Sequence, residues 1–163
     1  MADDSRSGGC GCGALRYQVQ GEPILVDNCH CRQCQRQTGS TSVVNAFYEA
    51  ERLSVISGET RRDVFKAGSG GDHQVIRCAQ CGTAMWSHYQ RLGELGLGLR
   101  VGTLDEPNDF QPDAAIFTEE AMEWVTLPDG IPHFPRAYDP SQLLPEERFS
   151  RLRTLIQLRA AQV

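Results

Sequence analysis

Short alternations of apolar and polar residues run through this chain, and only one long stretch near its end carries a helical period. Residues 14–19 (ALRYQV) alternate as a strand, and Gly21, Glu22 and Pro23 turn the chain. Residues 24–26 open a second strand that runs directly into Cys29. Residues 35–37 suit one or two helical turns, closed by Gly39 in the position where glycine ends helices. Residues 42–48, 53–56, 62–65 and 73–77 read as strands, and the glycine-rich 68–72 is a hairpin tip before the last of these. Residues 84–89 and 95–101 suggest two more, 102–107 a turn, and 115–117 a last short strand. Many short strands without alternating helices predict a mainly antiparallel β domain.

The end of the chain follows a different period. Proline and acidic residues stand where a helix should start, at Pro145, Glu146 and Glu147. Phe149, Leu152, Leu155 and Ile156 then recur at helical spacing, with Arg148, Arg151 and Arg153 largely off that stripe. The spacing predicts an amphipathic helix over 145–160. Its plain use is packing on the domain, and contact with a second copy in a homo-oligomer is the other. Residues 1–8 are polar, lack periodicity and read as a disordered tail. The expected organisation is a tail at 1–8, one domain over 9–136, and a linker with the helix over 137–163.

Composition narrows the partners. The formal net charge is −5, which argues against nucleic acid, whose backbone is bound by clustered basic residues. No stretch approaches the ~20 apolar residues of a membrane helix. The first residues, MADDSRSGGCGCG, have no basic start and no apolar run, so the expectation is a soluble, cytoplasmic protein. In a reducing compartment, closely spaced cysteines are metal ligands or redox groups more often than disulfides. There are seven of them, an odd number that full pairing cannot use.

Their spacing divides them into two sets. Cys10 and Cys12 lie among four glycines, and Cys78 and Cys81 form a C-x-x-C backed by Gly82. A C-x-C is tighter than the usual zinc spacing, and the glycines give the backbone the freedom to pinch both thiols onto one ion. Four thiolates would close a structural zinc site; a redox dithiol at Cys78/Cys81 is the weaker alternative. Cys29, Cys31 and Cys34 place three thiols within six residues. Three protein ligands with an exchangeable fourth position is the arrangement of catalytic zinc; a second structural site completed by a histidine is the competing reading. His30 projects away from its neighbouring cysteines, His73 and His133 are isolated, and only His88 is kept as a candidate.

Zinc held by three thiolates carries a formal −1, so it is a weaker Lewis acid than zinc on neutral histidines. It suits a soft fourth ligand, a substrate thiolate, better than an activated water. Arg36, Gln33, Thr38 and Ser40 lie within a few residues of the thiols and are candidate substrate contacts. Arg36 suits either a carboxylate clamp or an offset to the thiolate charge.

These motifs also carry a resemblance. GGCGCGALRY, CHCRQCQRQTGS, CAQCGT, VGTLDEP and IF…W…IPHFP resemble, in order and spacing over residues 8–135, the glutathione-dependent formaldehyde-activating enzyme (GFA) family. The resemblance implies a β-tent fold, a structural zinc on Cys10, Cys12, Cys78 and Cys81, and a second zinc on Cys29, Cys31 and Cys34. It implies condensation of formaldehyde with glutathione to S-(hydroxymethyl)glutathione, a carbon–sulfur lyase-type activity. A non-catalytic module that binds a thiol or a protein is the alternative. One departure stands out: Ala115 occupies a position where family members often carry histidine.

Overall fold

A computed structural model describes residues 4–68 and 70–162. Ten strands and two α-helices appear in the order β1 (Ser5–Gly9), β2 (Arg16–Gln20), β3 (Leu25–Cys29), α1 (Arg32–Thr38), β4 (Val43–Glu49), β5 (Leu53–Ser57), β6 (Thr60–Lys66), β7 (Asp72–Cys78), β8 (Ala84–Tyr89), β9 (Gly96–Arg100), β10 (Ala114–Ile116) and α2 (Glu146–Ala160). A three-stranded sheet has the order β1-β2-β5, and a seven-stranded sheet the order β10-β3-β4-β9-β8-β7-β6. The mainly β architecture expected from the alternations is present, with one parallel pairing, β10 on β3.

The expected disordered tail at 1–8 is corrected over residues 5–8. Ser5–Gly9 pairs antiparallel with β2, and Gly8 makes a further bridge to Leu104. The strand has no apolar alternation because it lies on a ready-made edge, where backbone hydrogen bonds do the holding. Gly8 is required there: a Cβ would fall 2.3 Å from the Tyr17 hydroxyl. Residues 1–3 of that tail, and Ser69 in the predicted hairpin tip, lie outside the described residues.

The alternation of residues 14–19 explains how the sheets meet. Leu15, Tyr17 and Val19 are buried against Val26, Ala46, Ile76, Trp86 and Leu99 of the larger sheet. Tyr17 and Trp86 meet edge to face, with centroids 6.2 Å apart. On the opposite face of the larger sheet, Leu25 and Phe47 lie under α2, whose Leu152 and Leu155 pack with Ile24, Leu92 and Leu144. The apolar stripe of that helix is therefore largely spent within the chain, with Leu158 left exposed. Two arginines anchor it. Arg151 grips Glu49 with two bonds of 2.7 and 2.6 Å, and Arg148 donates to the Ile24 carbonyl at 2.7 Å and pairs with Asp113. Among the described residues no helix is long and apolar enough to cross a membrane.

Candidate metal centres

The pairing directions bring the cysteines to one end of the larger sheet. β3 is antiparallel to β4, β4 to β9, β9 to β8 and β8 to β7, so β3, β9 and β7 run the same way. Cys29 ends β3, Arg100 ends β9 and Cys78 ends β7. That shared end carries both cysteine groups.

Cys10, Cys12, Cys78 and Cys81 bring their sulfurs within 4.8 Å of one another, as do Cys29, Cys31 and Cys34. Cys10 and Cys12 sulfurs are 3.5 Å apart, and those of Cys12 and Cys78 4.0 Å. Four sulfurs at about 2.3 Å around one tetrahedral ion would be spaced by roughly 3.8 Å, so the donor set fits a closed metal site. Local turns support it: the Leu15 N–H donates to Cys10 Sγ at 3.2 Å, and Gly82 turns the knuckle at φ 78°. Gly11 N–H and Cys81 Sγ both meet the Thr83 hydroxyl, at 3.2 and 3.1 Å, which ties the two knuckles together.

The second group is more deeply set. Cys29 and Cys34 are buried, Cys31 is half-buried, and Val43, Ile116 and Phe117 pack around them. Cys31 caps α1, its sulfur accepting the Cys34 N–H at 3.4 Å, and Gly39 closes the helix in the left-handed region. Hydrogen bonds from Cys29 and Cys34 hold Cys31 well below the usual thiol range, while Cys31 and Cys34 push Cys29 up. Among the described residues no histidine or carboxylate joins either group. His88 is buried with Nδ1 2.9 Å from the Gly96 carbonyl, His133 meets the Pro128 carbonyl at 2.8 Å, and His30 is buried without contributing a ligand.

The predicted contact residues sit in different places. Arg36 is exposed and makes no hydrogen bond or ion pair with the described residues, and Ser40 is likewise exposed. Thr38 donates to the Cys34 carbonyl at 2.9 Å. Gln33 faces inward: its Oε1 accepts the Gly68 N–H at 3.0 Å, and its amide nitrogen lies 3.4 Å from His73 Nδ1.

A buried polar network beneath α1 leaves almost no trace in the sequence. Arg100 donates through Nη2 to Ser87 at 2.9 Å and Gln37 Oε1 at 3.2 Å, and through Nη1 to Asn45 and the Tyr89 hydroxyl. Because Gln37 Oε1 is engaged, its amide nitrogen is the atom facing His73 Nδ1 at 3.2 Å. With both amide nitrogens facing it, Nδ1 is the accepting nitrogen of a neutral ring, while Nε2 is buried without a hydrogen-bond partner among the described residues. Burial first, and the Arg100 charge second, lower the His73 pKa to about 4. The one signal in the sequence was an arginine, Arg100, closing an otherwise apolar strand between Leu99 and Val101.

A second missed contact comes from the segment after β10. Phe117 adopts φ 54°, the only positive φ among the described residues outside glycine, and it packs against the cluster formed by Cys29, Cys34 and Val43. Glu120 then accepts the Arg32 N–H at 2.6 Å and, through its carbonyl, a Gln35 amide N–H at 2.9 Å. A cleft of about 500 Å³ has Gln37, Thr38, Val43, Cys81, Thr83 and Arg100 in its walls; it touches the four-cysteine group at Cys81 and the helix that carries Cys34 at Gln37 and Thr38.

The family model described as glutathione-dependent formaldehyde-activating enzyme matches residues 5–120. Among solved structures, a Rhodobacter sphaeroides protein aligns with 20% identity over 78% of this chain and 98% of its own, at a TM-score of 0.45. No curated protein matches the chain.

Proposed function

Because the chain belongs to the glutathione-dependent formaldehyde-activating enzyme family, we propose that it acts at the carbon–sulfur bond of a small thiol, glutathione being the expected one, or of its aldehyde adduct. In the forward sense the thiol S–H bond breaks, sulfur bonds to the aldehyde carbon, and the proton ends on the former carbonyl oxygen. In the lyase sense each change reverses. One observation carries this reading: three thiols stand together with no fourth protein donor among the described residues, at a helix whose Gln37 and Thr38 line a cleft.

Zinc held by Cys29, Cys31 and Cys34 would supply a soft position at which a thiol sheds its proton. The chain's own residues would do the rest. Val43, clustered with Cys29 and Cys34, and Phe117, packed against that cluster, would keep water from that side. Gln37 and Thr38 line the cleft, and Arg36, with Ser40, stands free at the surface for a carboxylate of the thiol compound. A second zinc on Cys10, Cys12, Cys78 and Cys81 would be structural. The assignment of 9–136 as the working domain, with 137–163 as its packed extension, belongs to the same proposal, as does a cytoplasmic setting that keeps the thiols reduced.

Metal analysis together with exchange NMR of glutathione and formaldehyde tests this. The expected result is two zinc ions per chain and exchange faster than the spontaneous rate. Exchange at the spontaneous rate would remove the lyase assignment, and bound glutathione without acceleration would leave a thiol-binding module.

A further inference from the structure

Arg100 is 5% exposed, yet every group it meets is neutral: Asn45, Ser87, Gln37 and Tyr89. Its Nε is buried with no partner among the described residues, and no carboxylate pairs with the guanidinium. A guanidinium cannot shed its proton, and a buried cation lacking an anion is strongly disfavoured. Its counter-charge must therefore come from beyond these four contacts.

The sheet register shows from which direction. Asp27, Asn45 and Arg100 form one cross-strand row, and Cys29 with Val43 forms the next row on the same face, a step of roughly 7 Å. Asp27, at the far end of the row, is engaged by the Tyr138 hydroxyl at 3.0 Å and makes no pair with Arg100. The helix that presents Gln37 to Arg100 also carries Cys34 and is capped by Cys31. Arg100 also lines the cleft. Among the described residues the thiolate group is thus the concentration of negative charge this cation faces, Cys34 feeling its field.

Resting on the proposed thiol chemistry, we infer that Arg100 is a specificity residue of the second centre, selecting an anionic sulfur ligand over a neutral donor by balancing the thiolate charge. A dication on three thiolates carries −1, and a fourth thiolate would take it to −2. With Arg100 alongside, the assembly rises only from neutral to −1. Its hydrogen bonds to Gln37 and Ser87 hold the charge in place, so it acts without touching the reacting atoms.

The test uses the full chain loaded with cobalt(II), whose visible spectrum reports ligand exchange. The four-thiolate site is closed, so changes on adding ligand come from the second centre. 2-Mercaptoethanol, which has no carboxylate, and imidazole, a neutral donor, are titrated separately into wild type, Arg100→Gln and Arg100→Lys. Arg100→Gln is expected to weaken thiol binding tenfold or more and to leave imidazole within about threefold. Arg100→Lys keeps the charge and is expected to retain thiol affinity within about threefold. Thiol and imidazole affinities falling together, or thiol affinity unchanged in Arg100→Gln, overturns the role of Arg100 while leaving the thiol chemistry standing. A wild-type spectrum indifferent to thiol overturns both. Should the glutamine variant fail to fold, a tenfold loss of thiol affinity in Arg100→Lys alone refutes the charge argument.

Discussion

The neutral state of His73 makes a prediction about acid that the structure allows to be worked through. The ring is 2% exposed, stacked on Tyr89 with centroids 4.5 Å apart and flanked by Phe65 at 5.0 Å. Its folded pKa, lowered to about 4, lies below the unfolded value near 6.5. The unfolded chain therefore binds the proton first, and folding loses stability as pH falls from about 6.5 towards 4. Linkage gives at most about 2 kcal/mol lost between pH 7 and 5. Urea denaturation of wild type and His73→Phe at both pH values measures it. The variant keeps an aromatic ring between Tyr89 and Phe65 but strips Gln33 and Gln37 of an acceptor, a cost that does not change with pH. Metal loss in acid acts on both proteins and drops out of the difference. The expected outcome is that wild type loses about 1–2 kcal/mol more than the variant over this interval. Equal losses would refute the neutral, buried assignment of His73.

Three further outcomes follow from other parts of the fold. Gly58→Ala places a Cβ 2.4 Å from the Ala14 carbonyl oxygen at φ 83°, and should cost about 1–3 kcal/mol in denaturant unfolding. Leu155→Ala removes a buried contact between α2 and the sheet; about 2–5 kcal/mol should be lost, read by the same assay. Cys78→Ser should abolish cooperative unfolding, whereas Cys31→Ser should keep the fold and lower bound metal from two equivalents to one, measured by elemental analysis. Equal damage from both would contradict the division into a closed and an open centre.

Much of the sheet was legible because period-two alternation reports which face is buried. Residues 84–89 were placed as a strand to the residue, and the 145–160 helix to within one residue of its start. β1 escaped notice because its serines, arginine and glycines contribute backbone pairing and little burial. The cysteine groups were legible from spacing alone, since ligands to one ion must lie close. Gln37, Arg100 and Phe117 were not, because what sets their roles is register between strands distant in sequence and a helix laid over them. Gln33 shows the converse: near in sequence to the thiols, it is turned inward to His73 and Gly68.

The closed cysteine group has a mechanical meaning as well. Cys10 and Cys12 follow a strand of the smaller sheet, while Cys78 ends a strand of the larger and Cys81 lies just beyond it. A metal there is a cross-link between sheets, bridging residues 66 apart in the case of Cys12 and Cys78. Treated as loop closure, such a link raises the free energy of the unfolded chain by about 4 kcal/mol through lost entropy. Cys81 and Thr83 also form part of the cleft wall. A metal at the four-cysteine group would therefore set the width of that cleft from outside it.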